Sequence, residues 1–361
     1  MEYRRLGNSG TVVSRLALGS MYFGGETTQQ DAFAIMDGYI EAGGNLIDTA
    51  NVYMGGQSEA IVGQWFASRP GEITDRVVLA SKGRHSTHKG PNAPGRSRPG
   101  LHRLLDESLR NLGRDHIDLY QLHSWDPLTP VEETLGFLDS AVRAGKIHYV
   151  GLSNFTGWQL QLFMSTAREF GLAMPVTLQQ QYSLLSRESE WEVIPAALYN
   201  GVGVLPWSPL AGGFLSGKYT RATQPAPGTR AGSEKPLYQW TSAEYGEVDR
   251  NWAIIDRVRQ IAERIGRTPS QVALAWLADR PGVTAPIFGA RNLVQLHDNL
   301  GASELHLDGA SSGALDEASK PISWGYPYGV FGAAQRARPE SGADALTPIV
   351  AQGSRHPLGH G

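Results

Sequence analysis

The stretch Leu16-Ala17-Leu18-Gly19-Ser20-Met21-Tyr22-Phe23-Gly24-Gly25 decides between two architectures. A short apolar run leads into a glycine-bearing turn, which is how an open dinucleotide-binding sheet and a closed barrel can both begin. The open sheet places Gly-x-Gly-x-x-Gly directly after its first strand, so that the backbone can approach a pyrophosphate. Here the glycines stand at 19, 24 and 25, and that spacing does not fit. Seven further apolar runs follow: Asn45-Leu46-Ile47, Val77 to Ala80, Ile117 to Leu122, Tyr149 to Leu152, Val176 to Gln180, Gly203 to Trp207 and Ala285 to Phe288. They are short, mostly rich in Val, Ile and Leu, and not strictly alternating, as strands covered on both faces are.

Helix punctuation fills the gaps between the runs. Thr129-Pro130-Val131-Glu132 and Thr268-Pro269-Ser270-Gln271 read as capping boxes with proline at the first helical position, and Thr156-Gly157-Trp158-Gln159 and Ser189-Glu190-Trp191-Glu192 follow the same rule without the proline. Gly43, Gly113, Gly145, Gly171, Gly201, Gly266 and Gly301 sit where those helices should stop. Eight strand–helix repeats without a domain-sized linker predict a single α/β (β/α)8 TIM barrel over residues 1–320, with a C-terminal tail over 321–361. Arg84 to Gly100 and Gly212 to Trp240 are extended βα loops, expected to wall or cover the barrel mouth. The tail carries Trp324, Tyr326, Tyr328 and Phe331, suited to packing over that mouth or against a neighbouring subunit.

The 361 residues include 32 Lys+Arg and 35 Asp+Glu, a formal net charge of −3. That balance argues against nucleic acid or an anionic membrane as the main partner. The chain has no cysteine, which excludes disulfides, thiolate metal sites and a thiol nucleophile. Neither a signal-peptide run nor a stretch near 18 uninterrupted apolar residues is present, so the expectation is a soluble cytoplasmic protein.

A barrel carries its chemistry at the carboxyl ends of its strands. Those positions give Asp48, Lys82 and His123, then Ser153-Asn154, Gln179 and Trp207-Ser208, with Tyr53 five residues beyond Asp48. Each has an ordinary explanation alone: Asp48 as a helix cap, Tyr53 as a loop aromatic, Lys82 as a solvated surface lysine, His123 as a core histidine satisfied by backbone. Together they suit carbonyl reduction by hydride transfer. The alkoxide formed needs a proton, and a tyrosine, with a pKa of about 10, gives one slowly unless its phenolate is stabilised. An ammonium nearby would lower that pKa; a carboxylate would hold the ammonium charged; a neutral imidazole would align the substrate oxygen.

Asn45 to Tyr53, Ala80-Ser81-Lys82-Gly83, Leu119 to His123, Gly151 to Phe155, Gln179 with Tyr182-Ser183, Val204 to Gly213, and Ile287 to Asn292 with Gln295 and Asn299 together resemble the aldo-keto reductase superfamily over nearly all of Tyr3 to Leu305. The resemblance implies a (β/α)8 fold, NADP(H) as usual cofactor, no metal, and a catalytic tetrad of Tyr53, Lys82, Asp48 and His123. It also implies nicotinamide contacts from Ser153, Asn154, Gln179 and Trp207, a pyrophosphate cradle including Ser208, Leu210 and Gly212, and an adenosine stretch with Gly289, Arg291, Gln295 and Asn299. Arg291 is placed to pair with a 2′-phosphate, which favours NADP(H) over NAD(H). Gly90-Pro91-Asn92, Gly95 to Arg98 and Trp125-Asp126-Pro127 are similar to the aryl-alcohol dehydrogenase-like branch, whose members reduce aromatic or aliphatic aldehydes, ketosteroid-like or xenobiotic ketones and nucleotide-linked keto-sugars, so a small-molecule aldehyde, ketone or alcohol is the expected substrate. Tyr22, Phe23 and Trp125 are expected in the substrate pocket.

Two other readings compete. The β-subunits of voltage-gated potassium channels resemble the same branch and keep the nucleotide, so a nucleotide-binding sensor or regulatory subunit is the alternative. A metal-dependent barrel hydrolase has little support: most of the ten histidines are scattered, and only His356 and His360 show His-x-x-x-His spacing, around Pro357 and Gly359.

Overall fold

The computed structural model describes residues 1–86, 90, 97–221, 229, 231–233, 236–322 and 325–336. Among the described residues ten strands are formed: β1 (Tyr3–Arg5), β2 (Val12–Ser14), β3 (Ala17–Gly19), β4 (Leu46–Asp48), β5 (Val78–Gly83), β6 (Ile117–Leu122), β7 (Ile147–Ser153), β8 (Pro175–Gln181), β9 (Gly203–Trp207) and β10 (Ile287–Phe288). The eight apolar runs of the sequence become β3 to β10, which pair in parallel in the order β10-β3-β4-β5-β6-β7-β8-β9. Closure comes just before β10, where the Val204 amide donates to the Gly282 carbonyl at 2.9 Å and the Thr284 amide donates to Val204 at 2.8 Å. The result is a nearly closed (β/α)8 barrel with helices on its outer face.

The short antiparallel hairpin of β1 and β2 has no counterpart in the apolar pattern, because its three-residue strands mix Arg and Ser with Val. It plugs the amino end of the barrel. Leu6 and Val13 join Ala17, Leu46, Ala80, Leu119 and Leu205 in one buried cluster. Gly7, at φ +55°, lies so close to the strand starts that a Cβ would sit 1.9 Å from the Val176 carbonyl oxygen. Outside the strands a larger core, with Trp65, Tyr120, Phe137 and Phe163, is shared with the helices.

Two of the four capping boxes form. Thr268 accepts from the Gln271 amide at 3.2 Å, and Thr156 and Gln159 cap each other in the same way. The other two do not. The helix at Val131–Arg143 starts after Pro130, and the Thr129 hydroxyl donates to Asp126 at 2.7 Å instead. At Ser189 the hydroxyl donates to the Gln181 carbonyl at 3.0 Å, residues 188–190 form one 3-10 turn, and the helix begins only at Val193. Six of the seven stop glycines adopt positive φ; Gly301 instead ends its helix in right-handed geometry at φ −60°.

In the tail, the Tyr328 ring stacks on Trp191 with centroids 5.4 Å apart, and its hydroxyl donates to Glu192. Trp324, residues 337–361 and most of the Arg84 to Gly100 loop, including Pro91 to Arg96, lie outside the described residues.

Gly7→Ala should lower the thermal midpoint strongly, since strain and a backbone clash together cost about 2 kcal/mol or more. Gly145→Ala, at φ +70° with open space around its Cα, should cost only about 1 kcal/mol. Equal losses in thermal denaturation would contradict a tightly seated plug.

Candidate active site

The strand ends bring Asp48, Lys82 and Gln121 side by side. Asp48 closes β4 opposite Ala80, and two residues farther along β5 Lys82 pairs in register with Gln121 of β6. Across the barrel, Gln179 of β8 stands in register with Ser153 of β7. Tyr53 opens the single turn that follows β4. Above them is a cavity of about 530 Å³ whose walls include Asp48, Tyr53, His123, Ser153, Asn154, Gln179 and Trp207.

Lys82 is fully buried, and each hydrogen of its ammonium has an acceptor. Nζ lies 2.5 Å from Asp48 Oδ2, 2.8 Å from the Thr49 carbonyl and 3.0 Å from Tyr53 Oη. An ammonium can only donate, so the phenol oxygen accepts and the phenol hydrogen is left for another partner. Asp48 is fixed from its other side: Oδ1 accepts from Gln179 Nε2 at 2.8 Å and from Gln121 Nε2 at 3.1 Å. Gln121 escapes a reading of strand ends because it lies inside the apolar run of β6. Its one sequence signal is a fully buried amide in the middle of a hydrophobic strand. Gln179, assigned to the cofactor from sequence, spends its amide hydrogens on Asp48 and on Gln121 Oε1, at 3.3 Å, and still lines the cavity.

Burial pushes the Tyr53 phenol above its ordinary pKa, and the Lys82 charge pulls it back only in part. The depression expected from an ammonium is therefore present but outweighed. Burial also works against the Lys82 ammonium, yet Asp48 and Tyr53 together hold it above the usual lysine range. Burial, reinforced by the Lys82 and Arg84 charges and by neighbouring His85, pushes His123 down to about 2, so its imidazole is neutral. His123 meets Tyr53 edge to face with ring centroids 5.8 Å apart, and its Nδ1 is a buried polar atom without a hydrogen-bond partner.

The cavity continues as a groove toward Arg291. Along it the backbone turns left-handed at Ser208, Ala211, Gly212 and Gly213, a local geometry that turns amides into an anion-binding concavity. Leu210, Lys218, Gly289, Arg291, Gln295 and Asn299 also line it, with Asp298 as an acidic neighbour. Gln295 Oε1 accepts from the Arg291 amide at 3.0 Å, and the Asn292 side chain caps the helix Leu293–Leu300. Arg291 lies 3.7 Å from Glu26, whose carboxylate also accepts from Tyr238. Two cations, a row of left-handed peptides and a helix start suit a long phosphate-bearing dinucleotide. Asn154 links the parts: Nδ2 donates to the His123 carbonyl at 2.9 Å, and Oδ1 accepts from Trp207 Nε1 at 3.0 Å.

Two pocket assignments are corrected. Tyr22 lines the cavity and packs against Tyr238 at 6.3 Å, but Phe23 does not line it. The loop turns back at Gly24, and the Phe23 ring, 1% exposed, goes into the helix-side core. Trp125 packs edge-on against Phe155, Trp158 and Phe163, and lines a separate crevice with Arg84 and Asp126. An aromatic residue in a loop fixes no direction; the neighbouring aromatics do. Met21 and Ile287 also line the cavity. No described residue of the tail lines it.

The sequence profile of the Aldo/keto reductase family matches residues 15–320. An uncharacterized oxidoreductase, YrpG, from Bacillus subtilis (strain 168) is 40% identical over 316 residues, covering 85% of this chain and 93% of that protein. A probable voltage-gated potassium channel subunit beta from Oryza sativa subsp. japonica is 33% identical, covering 84% of this chain and 92% of the relative. Norsolorinic acid reductase B from Dothistroma septosporum is 31% identical, covering 91% and 84%. Members of the family generally use NAD(P)H and act on small molecules. The chain belongs to the aldo/keto reductase family of oxidoreductases.

Proposed function

We propose that this chain is an NADPH-dependent carbonyl reductase, reversible as an alcohol dehydrogenase, with Tyr53 as proton donor. The observation that carries this reading is the direction of one hydrogen bond. Lys82 donates to Tyr53 Oη, and the phenol hydrogen is thereby left to the cavity. When bound, the reduced nicotinamide supplies hydride to the carbonyl carbon of an aldehyde or ketone.

As the C=O π bond breaks, its electron pair moves to the oxygen, and the Tyr53 proton goes to that oxygen to give the alcohol. The elevated phenol pKa keeps this proton on Tyr53 until the alkoxide forms. Lys82 lies beside the phenolate left behind and disperses its charge, while Asp48 keeps the ammonium protonated and oriented. Neutral His123 orients the substrate oxygen with an imidazole that does not itself titrate in the working range. Asn154 and Trp207 hold the wall against which the nicotinamide ring would rest, and Ser153 closes it from β7. The Ser208 to Gly213 turn would hold the pyrophosphate. Arg291, with Gln295 and Asn299 alongside, would hold the adenosine end and its 2′-phosphate, displacing Glu26 from the guanidinium.

Tyr53→Phe should lower the turnover of 4-nitrobenzaldehyde, followed through NADPH oxidation, by about 100-fold or more, the usual worth of a positioned general acid. A loss below about tenfold would remove Tyr53 from the role. Reduction needs the protonated phenol, and both shifts point away from neutrality. Its rate should therefore stay level from pH 6 to 9 and fall only above about 10, with alcohol oxidation rising over the same alkaline range. A titration midpoint between pH 6 and 8 would contradict this assignment. Arg291→Ala should weaken NADPH binding about tenfold or more in a fluorescence titration while leaving NADH nearly unchanged. Equal weakening of both would leave the 2′-phosphate unassigned.

The rice relative's name favours a second reading, a nucleotide-binding regulatory subunit with the same groove. Tight NADPH binding without turnover on any carbonyl of a broad panel would select it.

A further inference from the structure

At the opposite end of the barrel, His116 immediately precedes β6, Asp118 is the second residue of β6, and His148 is the second residue of β7. His148, thirty residues on from Asp118, meets the other two because Ile117 and Ile147 pair in register across the two strands. One nitrogen from each imidazole and one carboxylate oxygen lie within 4.8 Å of one another. Asp118 Oδ1 is 3.1 Å from His148 Nδ1 and 3.9 Å from His116 Nε2. A tetrahedral metal with bonds of about 2.0–2.2 Å sets its ligand atoms roughly 3.3–3.6 Å apart, between those two separations.

The surroundings orient the set. The Asp115 carboxylate accepts from His116 Nδ1 at 2.7 Å, so in the neutral ring Nε2, the nitrogen facing Asp118, keeps its lone pair. A carboxylate behind a ligating histidine is the outer-shell arrangement that raises imidazole basicity and fixes the tautomer. Asp118 Oδ2 accepts from the Leu79 amide at 2.8 Å, which leaves Oδ1 for the centre of the cluster. The His116 and His148 rings stack with centroids 4.4 Å apart and planes inclined by 26°, which keeps the two imidazoles together beside Asp118.

We infer that His116, Asp118 and His148 form a binding site for one divalent transition-metal ion of the zinc class, with Asp115 as positioning residue. Two imidazoles and one carboxylate suit Zn²⁺, Co²⁺, Ni²⁺ or Cu²⁺, whereas Mg²⁺ and Ca²⁺ require mostly oxygen ligands. The metal would replace the hydrogen shared by His148 Nδ1 and Asp118, the imidazole carrying its hydrogen on the outward Nε2 instead. Its place at the amino ends of β6 and β7, across the barrel from the cavity, makes it a staple between two strands rather than part of the reaction.

The test is calorimetric titration of ZnCl₂ into full-length, tag-free protein freed of metal with a chelator, with Co²⁺ absorption reporting tetrahedral coordination. One equivalent should bind, tetrahedral Co²⁺ bands should appear, and the thermal midpoint should rise with the metal. His148→Ala and His116→Ala should each weaken binding more than tenfold, and Asp115→Asn by roughly 10–100-fold. The double variant His356→Ala/His360→Ala should bind like the parent. No binding by the parent chain, or binding unchanged in His116→Ala and His148→Ala, would overturn the inference. So would loss of binding in the His356/His360 variant alone. Each variant's far-ultraviolet circular dichroism and unliganded melting curve would separate lost ligation from lost folding.

Discussion

A buried ammonium needs as many acceptors as it has hydrogens, and Lys82 has three: a carboxylate, a peptide carbonyl and a phenol. Taking such a charge out of water costs several kcal/mol, repaid only when the counter-charge is close and the remaining hydrogens are satisfied. The site is organised around that requirement. Asp48 supplies the counter-charge, the turn after β4 supplies the Thr49 carbonyl, and Tyr53 supplies the third acceptor at the one place where the cavity begins. Removing Asp48 would leave an uncompensated charge in the barrel, a loss of about 3–5 kcal/mol.

The barrel supplies the rigidity this geometry needs. Lys82, Gln121 and Asp48 come from three consecutive parallel strands whose relative positions are set by main-chain hydrogen bonds. Gln179 reaches in from β8 to complete the support of Asp48. The two glutamines matter because Lys82 engages only one oxygen of the Asp48 carboxylate. Without donors on the other oxygen, the carboxylate could rotate and take the ammonium with it. A further consequence is electrical. Asp48 and Lys82 neutralise each other, while the Lys82 charge, with Arg84 and His85, still contributes to keeping His123 neutral. Phenol and imidazole therefore face the cavity as a hydrogen donor and a neutral polar ring, with titration ranges far from neutrality on opposite sides.

Much of this was legible in the sequence because a barrel writes its chemistry at predictable places. Asp48, Lys82 and His123 each stand where an apolar run ends, and three titratable residues at adjacent strand ends are harder to explain together than any one of them alone. The strand runs themselves were legible because both faces are buried. The β1–β2 hairpin was not, since three-residue strands carrying Arg and Ser leave no period. Gln121 was hidden by its position inside a run, where a lone amide resembles a tolerated polar residue. Phe23 and Trp125 show a different limit: hydrophobicity says that a loop aromatic is buried, but only its packing says on which side, the helix-side core for Phe23 and Phe155, Trp158 and Phe163 for Trp125. At Thr129 and Ser189 the capping pattern lost to competing acceptors, the Asp126 carboxylate and the Gln181 carbonyl. The proximity of His116 and His148 depends on strand register, which no local spacing encodes.

The coupling between phenol and ammonium is open to direct measurement. With ¹³Cζ-labelled tyrosine, the Tyr53 resonance, assigned by its absence in a variant lacking that phenol, can be titrated in the parent chain and in Lys82→Met. The titration midpoint should be higher once the ammonium is gone, because burial and Asp48 then act on the phenol unopposed. An unchanged or lower midpoint would mean that the two groups do not share a hydrogen bond, and the proton-donor assignment would fall with it.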